Sequence, residues 1–68
     1  MAFIKFPNRE LRDNFYDAVN NARTDNGDYL MGKSVSTYSD DEINYDRDDV
    51  RDFRLFGEFL EMFKGKLE

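Results

Sequence analysis

The sequence contains no cysteine and no histidine among its 68 residues. Without cysteine, neither a disulfide nor a thiolate metal site can support the fold. Without histidine, the chain lacks the usual general base and the commonest metal ligand. Ser–His and Cys–His nucleophilic systems are excluded for the same reason. We therefore expect a protein that is not an enzyme and that holds neither a metal nor a cofactor.

Long apolar runs are also missing. No run of about 18 apolar residues occurs, so no transmembrane helix is predicted. The first residues, "MAFIKFPNRE", lack the apolar h-region of a signal peptide. We therefore expect a cytoplasmic location.

Aromatic residues are plentiful, with seven Phe and four Tyr. Each can bury roughly 150–250 Å², which offsets the small core expected of so short a chain. The length predicts a single domain spanning residues 1–68.

The first part of the chain predicts a strand and then a helix. "AFIKF" (residues 2–6) alternates, with Ile4 and Phe6 on one side, and Pro7 ends it. Residues 9–23 have helical periodicity, with Asn8 as N-cap. The helix has an apolar face, an acidic face and a basic edge. The apolar face comprises Leu11, Phe15, Ala18, Val19 and Ala22, the acidic face Glu10, Asp13 and Asp17, and the basic edge Arg9, Arg12 and Arg23.

The middle of the chain predicts a turn followed by extended structure. In "TDNGD" (24–28), Gly27 can adopt φ > 0. "YLMGKSVSTYS" (29–39) alternates, with Tyr29, Met31 and Val35 on one side, and predicts either one bent strand or a hairpin. Ser39 and Glu42 match a capping box, but "EINY" is equally consistent with a strand.

Residues 47–65 predict a second, C-terminal helix, with Asp46 as N-cap and Asp48 and Asp49 in its first turn. Its apolar residues form a core stripe and a second stripe on a neighbouring face, which indicates burial on more than one side. Because so short a chain has few elements to cover both stripes, we expect a homodimer through the second. The core stripe is Phe53, Phe56, Leu60 and Phe63, and the second stripe is Leu55, Phe59 and Met62. Together these elements predict an α+β fold, with two helices and a small antiparallel sheet of two to four short strands.

The net charge is concentrated in "SDDEINYDRDDVRD" (39–52). This stretch has seven carboxylates and two arginines and sums to −5, which is the charge of the whole chain. The remaining residues carry eight acids and eight bases. Helix-dipole and capping effects account for two or three of the seven acids but not for all of them. The seven are Asp40, Asp41, Glu42, Asp46, Asp48, Asp49 and Asp52.

Two short motifs are rejected, one because of the structure predicted around it and the other because required residues are missing. "GDYLMGKS" (27–34) matches the P-loop pattern, but a P-loop follows a strand and opens a helix, whereas these residues follow a helix and precede a strand-like segment. An EF-hand counted from Asp40 would require glycine and glutamate where Tyr45 and Arg51 stand.

The acidic surface indicates a basic protein as partner and disfavours direct nucleic-acid binding, which requires a basic footprint. Asp13 and Asp17, and likewise Asp48 and Asp52, would repeat at about 6 Å on helices and could stand in for phosphates. A dimer would lengthen the array. Ten basic residues remain, and arginines interspersed among the acids would weaken such mimicry.

In size, acidity and missing catalytic residues the chain resembles the small bacteriophage DNA-mimic proteins, nearest the phage-encoded inhibitors of the nucleoid protein HU. The resemblance rests on residues 39–52, on Glu10, Asp13 and Asp17, and on the apolar last helix. It implies an inhibitor that acts in the host-cell cytoplasm and occupies the DNA-binding surface of HU. Two alternatives remain: an ordinary acidic α+β domain with a solvated loop, or an interaction module that grips a partner through its last helix.

Overall fold

The computed structural model describes residues 2–68. Within this range, a four-stranded antiparallel sheet of order β2-β3-β1-β4 packs against two helices, so the predicted α+β class is confirmed. A short 3₁₀ turn, Arg47–Asp49, precedes the second helix. The strands are β1 (Ala2–Lys5), β2 (Ser36–Ser39), β3 (Glu42–Tyr45) and β4 (Lys66–Leu67), and the helices are α1 (Arg9–Asn21) and α2 (Phe53–Met62).

The core lies between the helices and one face of the sheet. Ile4 pairs with Ile43 in the register of β1 with β3, and both are fully buried. Phe15 of α1 packs edge-on against Phe56 of α2, with ring centroids 5.7 Å apart. Phe56 in turn lies 5.1 Å from the ring of Tyr45 on β3. These aromatic contacts hold both helices on the same face of the sheet.

The segment between the helices is less regular than its alternation predicts. Gly27 has φ 86° in a turn that the Thr24 amide closes on the Asp28 carbonyl at 2.7 Å. Beyond the turn, Leu30 is buried and Tyr29 is 50% exposed, so the predicted grouping of Tyr29 with the buried Met31 is wrong. Tyr29 and Met31 form only isolated bridges, with Arg23 and Val50, and a regular strand begins at β2.

Ser39 and Glu42 belong to a hairpin, not to a helix start. β2 and β3 pair across the two-residue turn at Asp40 and Asp41. "EINY" is therefore a strand. The Ser39 hydroxyl lies 2.8 Å from Glu42 Oε1, so the two side chains interact within the hairpin.

Helix α1 begins where Asn8 accepts a hydrogen bond from the Leu11 amide at 2.9 Å, as its N-cap prediction requires. Phe15 and Val19 on its apolar face are fully buried. Arg12, which was assigned to the basic edge, is largely buried, with only 8% of its area exposed. Its guanidinium donates to the backbone carbonyl of Ser39.

Helix α2 is shorter than the predicted span of 47–65, because the chain bends between the 3₁₀ turn and Phe53. Asp48 and Asp49 therefore lie in the 3₁₀ turn and not in the first turn of α2. Phe53 is 57% exposed and is not part of the core stripe, although Phe56 is buried.

After α2 the chain reverses to add β4 at the edge of the sheet. Lys64 has φ 59°, and the Gly65 amide donates to the Leu60 carbonyl at 2.8 Å. A Cβ at Gly65 would lie 2.9 Å from both Ile4 Cγ2 and Phe6 Cε1. A larger residue at this position would therefore force the side chains of Ile4 and Phe6 to shift.

None of the helices within residues 2–68 is both long enough and apolar enough to cross a bilayer.

Candidate partner-binding surface

The acidic stretch is divided by β3 into two clusters. The hairpin cluster, Asp40, Asp41 and Glu42, lies at the start of β3, and the turn cluster, Asp46, Asp48, Asp49 and Asp52, follows its end. Glu42 and Asp46 are four residues apart along an extended strand, which corresponds to about 13 Å at about 3.3 Å per residue. The structure thus places the predicted acids in two groups.

The hairpin cluster is joined by residues that are distant in sequence. Lys5 Nζ lies 3.3 Å from Asp41 Oδ2, and this hydrogen bond raises the pKa of Lys5 above its ordinary value of 10.5. The backbone amide of Glu68 donates to the Phe3 carbonyl, just beyond the end of β4. Hydrogen bonding between the Glu68 and Glu42 carboxyl groups raises the pKa of Glu68 above its ordinary value of 4.5. Two carboxyl groups whose simultaneous ionisation is disfavoured therefore interact here.

The predicted acids of α1 are not equivalent. Asp13 lies 2.6 Å from the Arg12 guanidinium and 3.8 Å from that of Arg9, so its charge is neutralised locally. The bond between Arg12 and Ser39 places Asp13 beside the hairpin cluster. Glu10 and Asp17 are exposed and have no ion-pair partner within residues 2–68.

Two members of the turn cluster also cap local structure. Asp46 Oδ1 accepts from the Asp48 amide at 3.0 Å. Asp52 Oδ1 accepts from the Leu55 amide at 3.1 Å and is the N-cap of α2. Because Asp48 lies in the 3₁₀ turn and Asp52 outside the helix, the predicted helical repeat of these two carboxylates is wrong.

The arginines of the acidic stretch do not pair with its carboxylates. The Arg51 guanidinium donates to the Tyr29 carbonyl at 3.0 Å, and Arg47 lines a groove described below. In the part of the chain that the structure describes, no member of the turn cluster has a cation within 4.0 Å. The turn cluster is therefore the more strongly uncompensated of the two clusters.

An apolar groove of about 310 Å³, which the sequence patterns do not predict, separates α2 from β1 and β4. Phe53 and Leu67 stand at its surface, with 57% and 61% of their area exposed. Gly57 leaves it open, since no atom lies within 4 Å of where its Cβ would be. Its lining residues are Ala2, Phe3, Tyr45, Arg47, Phe53, Phe56, Gly57, Leu60, Leu67 and Glu68. Of these residues, Phe53, Phe56 and Leu60 were predicted to belong to the core stripe of the last helix.

The residues predicted to form a dimer lie along another side of α2. Leu55 and Phe59 are half-buried against the core of their own chain. Met62 is 63% exposed. The chain therefore covers part of the stripe that was assigned to a second copy.

Neither a nucleotide site nor a metal site is indicated among residues 2–68. Residues 27–34 lead from a turn into β2, so the helix that a P-loop must open is lacking there. No group of three or more acidic side chains in the described range is arranged to hold a metal ion.

No protein-family model, curated protein or solved structure matches this chain.

Proposed function

We propose that the protein is a non-catalytic acidic inhibitor that mimics DNA and occupies the DNA-binding surface of a basic protein in the cytoplasm. HU is the target that the resemblance to phage inhibitors implies. The contact is made by the hairpin cluster and the turn cluster, with help from Glu10, Asp13 and Asp17 of α1.

The spacing of the two clusters is the observation that carries the proposal. They lie at the two ends of β3, where Glu42 and Asp46 are about 13 Å apart at about 3.3 Å per residue, a length similar to the width of about 12 Å of the B-DNA major groove. A protein surface that accepts two phosphate rows could therefore accept both clusters together. The electrostatic gain would act mainly on the association rate and on partner selection.

Acids that are already paired with cations of their own chain should contribute least to partner binding. Asp13 and Asp41 are paired with cations of their own chain, so they offer less to a partner. Asp40 and Asp48 are exposed, and the described part of the chain provides no cation for either. We expect these two residues to be the most sensitive positions of the surface.

The test is competition between the protein and labelled duplex DNA for HU at about 0.1 M salt, where the Debye length is about 10 Å. We expect displacement of DNA that weakens as salt is added. The double variant Asp40→Lys with Asp48→Lys should lose displacement, since it reverses one exposed acid in each cluster without removing a cap.

The matched control is Asp25→Lys with Glu61→Lys, which makes the same change in net charge at two other exposed positions. If the control loses displacement equally, total charge and not the clusters determines binding. If the wild-type protein displaces no DNA from HU, that target is excluded. The same result across a panel of basic DNA-binding proteins would exclude the proposed function.

The second candidate is an interaction module that binds a non-basic partner through α2. The exposed Phe53 and Met62 favour it. In that case binding would be insensitive to salt and to reversal of Asp40 and Asp48.

A further inference from the structure

We propose that the apolar groove between α2 and the β1–β4 edge receives a large apolar side chain from a lysine- or arginine-rich segment of the partner. This inference rests on the proposed function, because it adds an apolar anchor to an electrostatic contact. The occupant is thus a basic segment with an apolar residue at its centre.

The shape and chemistry of the groove suit a large apolar side chain. Its volume of about 310 Å³ exceeds that of one large apolar side chain, and its floor includes the half-buried Leu60 and the buried Phe56. Phe53 and Leu67 remain largely exposed at its surface. Covering them with an apolar group would remove apolar area from water, at roughly 25 cal/mol per Å².

The groove opens beside the acidic part of the protein. Its charged lining residues are Glu68 and Arg47. Glu68 interacts with Glu42, and Arg47 belongs to residues 39–52, the stretch that sums to −5. An apolar residue flanked by cations complements this pattern, whereas an acidic or purely apolar segment does not.

The Glu42–Glu68 pair strengthens this assignment. The proximity of the two carboxyl groups disfavours the second negative charge, as the raised pKa of Glu68 indicates. A lysine or arginine placed between them would relieve this repulsion. Lys5 already acts on both carboxyl groups, although its ammonium group is paired with Asp41 at 3.3 Å.

The probes for the test are three synthetic hexapeptides. The apolar peptide has a Phe-Leu pair between two Lys-Lys pairs. The polar peptide has Ser-Ser in place of Phe-Leu, and the acidic peptide has Glu in place of every Lys. Binding is measured by fluorescence anisotropy, and its position is read from the backbone amide shifts of Gly57 and Leu67 in ¹⁵N spectra.

We expect the apolar peptide to bind about tenfold more tightly than the polar peptide, as burial of one apolar side chain allows, and to shift both amides. The acidic peptide should not bind. Gly57→Leu fills the groove and should abolish the difference between the apolar and polar peptides. Gly57→Ala adds one methyl group and should retain it. Both variants should fold, because the position has open space.

The outcomes separate this inference from the proposed function. Equal binding of the apolar and polar peptides, or an unchanged difference in Gly57→Leu, would overturn the groove assignment even if HU is displaced from DNA. Preferential binding of the apolar peptide that Gly57→Leu abolishes would support the groove even if no DNA-binding protein is inhibited. A dimer that Gly57→Leu dissociates would show that a second copy fills the groove and would overturn the inference.

Discussion

The guanidinium of Arg12, on α1, donates a hydrogen bond to the backbone carbonyl of Ser39, at the end of β2. The same guanidinium contacts Asp13 at 2.6 Å. One buried arginine therefore fastens the helix to the hairpin and fixes an acidic side chain beside the hairpin cluster. Arg12 lies three residues before Phe15 and seven before Val19, so the helical period places it nearer the apolar face than Arg9, but the local pattern does not identify Ser39 as its partner.

Removal of this contact should destabilise the fold. We expect Arg12→Ala to lower the free energy of unfolding by about 1.5–3 kcal/mol, the range for loss of a charged hydrogen-bond partner at a largely buried site. Arg9→Ala should change it by less than about 0.5 kcal/mol, because its side chain is mostly exposed. Urea unfolding followed by circular dichroism measures both. Equal effects would contradict the bridging role of Arg12.

Substitution by alanine should have opposite effects on stability at Gly65 and at Gly57. Gly65→Ala should destabilise the protein by about 1–3 kcal/mol, since the added Cβ would lie 2.9 Å from Ile4 and Phe6. Gly57→Ala should stabilise it by about 0.5–1 kcal/mol, because the position lies in a helix interior with open space. Thermal unfolding of the two variants side by side tests the contrast. A stable Gly65→Ala variant would show that the turn into β4 can shift.

The structural and electrostatic contributions of Asp52 can be separated. Asp52→Ala should destabilise the protein by about 1 kcal/mol, because the Leu55 amide loses its capping partner. Asp52→Asn keeps a capping oxygen and should retain most of this stability. Since both variants remove the same charge, they should weaken partner binding equally if only the charge matters. A difference in binding between them would show that the cap positions the surface.

The Glu42–Glu68 pair predicts an unusual dependence on pH. Because the folded-state pKa of Glu68 is raised above 4.5, its contribution to stability is present below pH 4.5 and is lost as pH rises through the folded-state pKa. Glu68→Gln removes the second negative charge. The stability of the variant relative to wild type should therefore increase across that interval. Parallel pH profiles for the two proteins would contradict the coupling of these carboxyl groups.

Lys5 should make stability depend on pH in a second, more alkaline range. Its pKa is raised above 10.5 by Asp41, so its contribution is fully present below pH 10.5 and is lost as pH rises through the folded-state value. This window does not overlap that of Glu68. The two effects can therefore be read from one profile.

The predicted homodimer can be tested at Met62, the most exposed residue of the stripe assigned to it. We expect sedimentation equilibrium to give a dimer for the wild-type protein and a monomer for Met62→Lys. Tyr38→Lys, on the exposed edge strand β2, is the matched control and should remain dimeric. A wild-type monomer at all concentrations would refute the dimer, and dissociation by Tyr38→Lys alone would move the interface to the sheet.

Much of the fold could be predicted because the relevant signals are local. Asn8 caps α1 as its side chain predicts, and Pro7 separates β1 from the helix. The apolar period of α1 identified Phe15 and Val19, since a helix buries residues at three- and four-residue spacing. The same reasoning failed for Phe53, because periodicity reports which residues share a face but not how far the neighbouring element extends over it.

The candidate site was predictable only in part. Counting charges identified the acidic stretch, but it did not show that β3 divides the stretch or that Lys5 neutralises Asp41. The groove depends on a two-residue strand, β4, that is too short to give a period. Its opening results from the packing of α2 beside residues that lie more than 40 positions away along the chain, such as Ala2 and Phe3.

The sequence by itself determined the α+β class, the helix start at Asn8, the absence of histidine and cysteine chemistry, and the concentration of negative charge. These properties depend on residue types and short spacings. Only the tertiary structure decided which carboxylates are compensated, where the two clusters lie and where the apolar groove opens. Those properties depend on contacts such as Arg12 with Ser39 and Glu42 with Glu68, which exist only once the chain has folded.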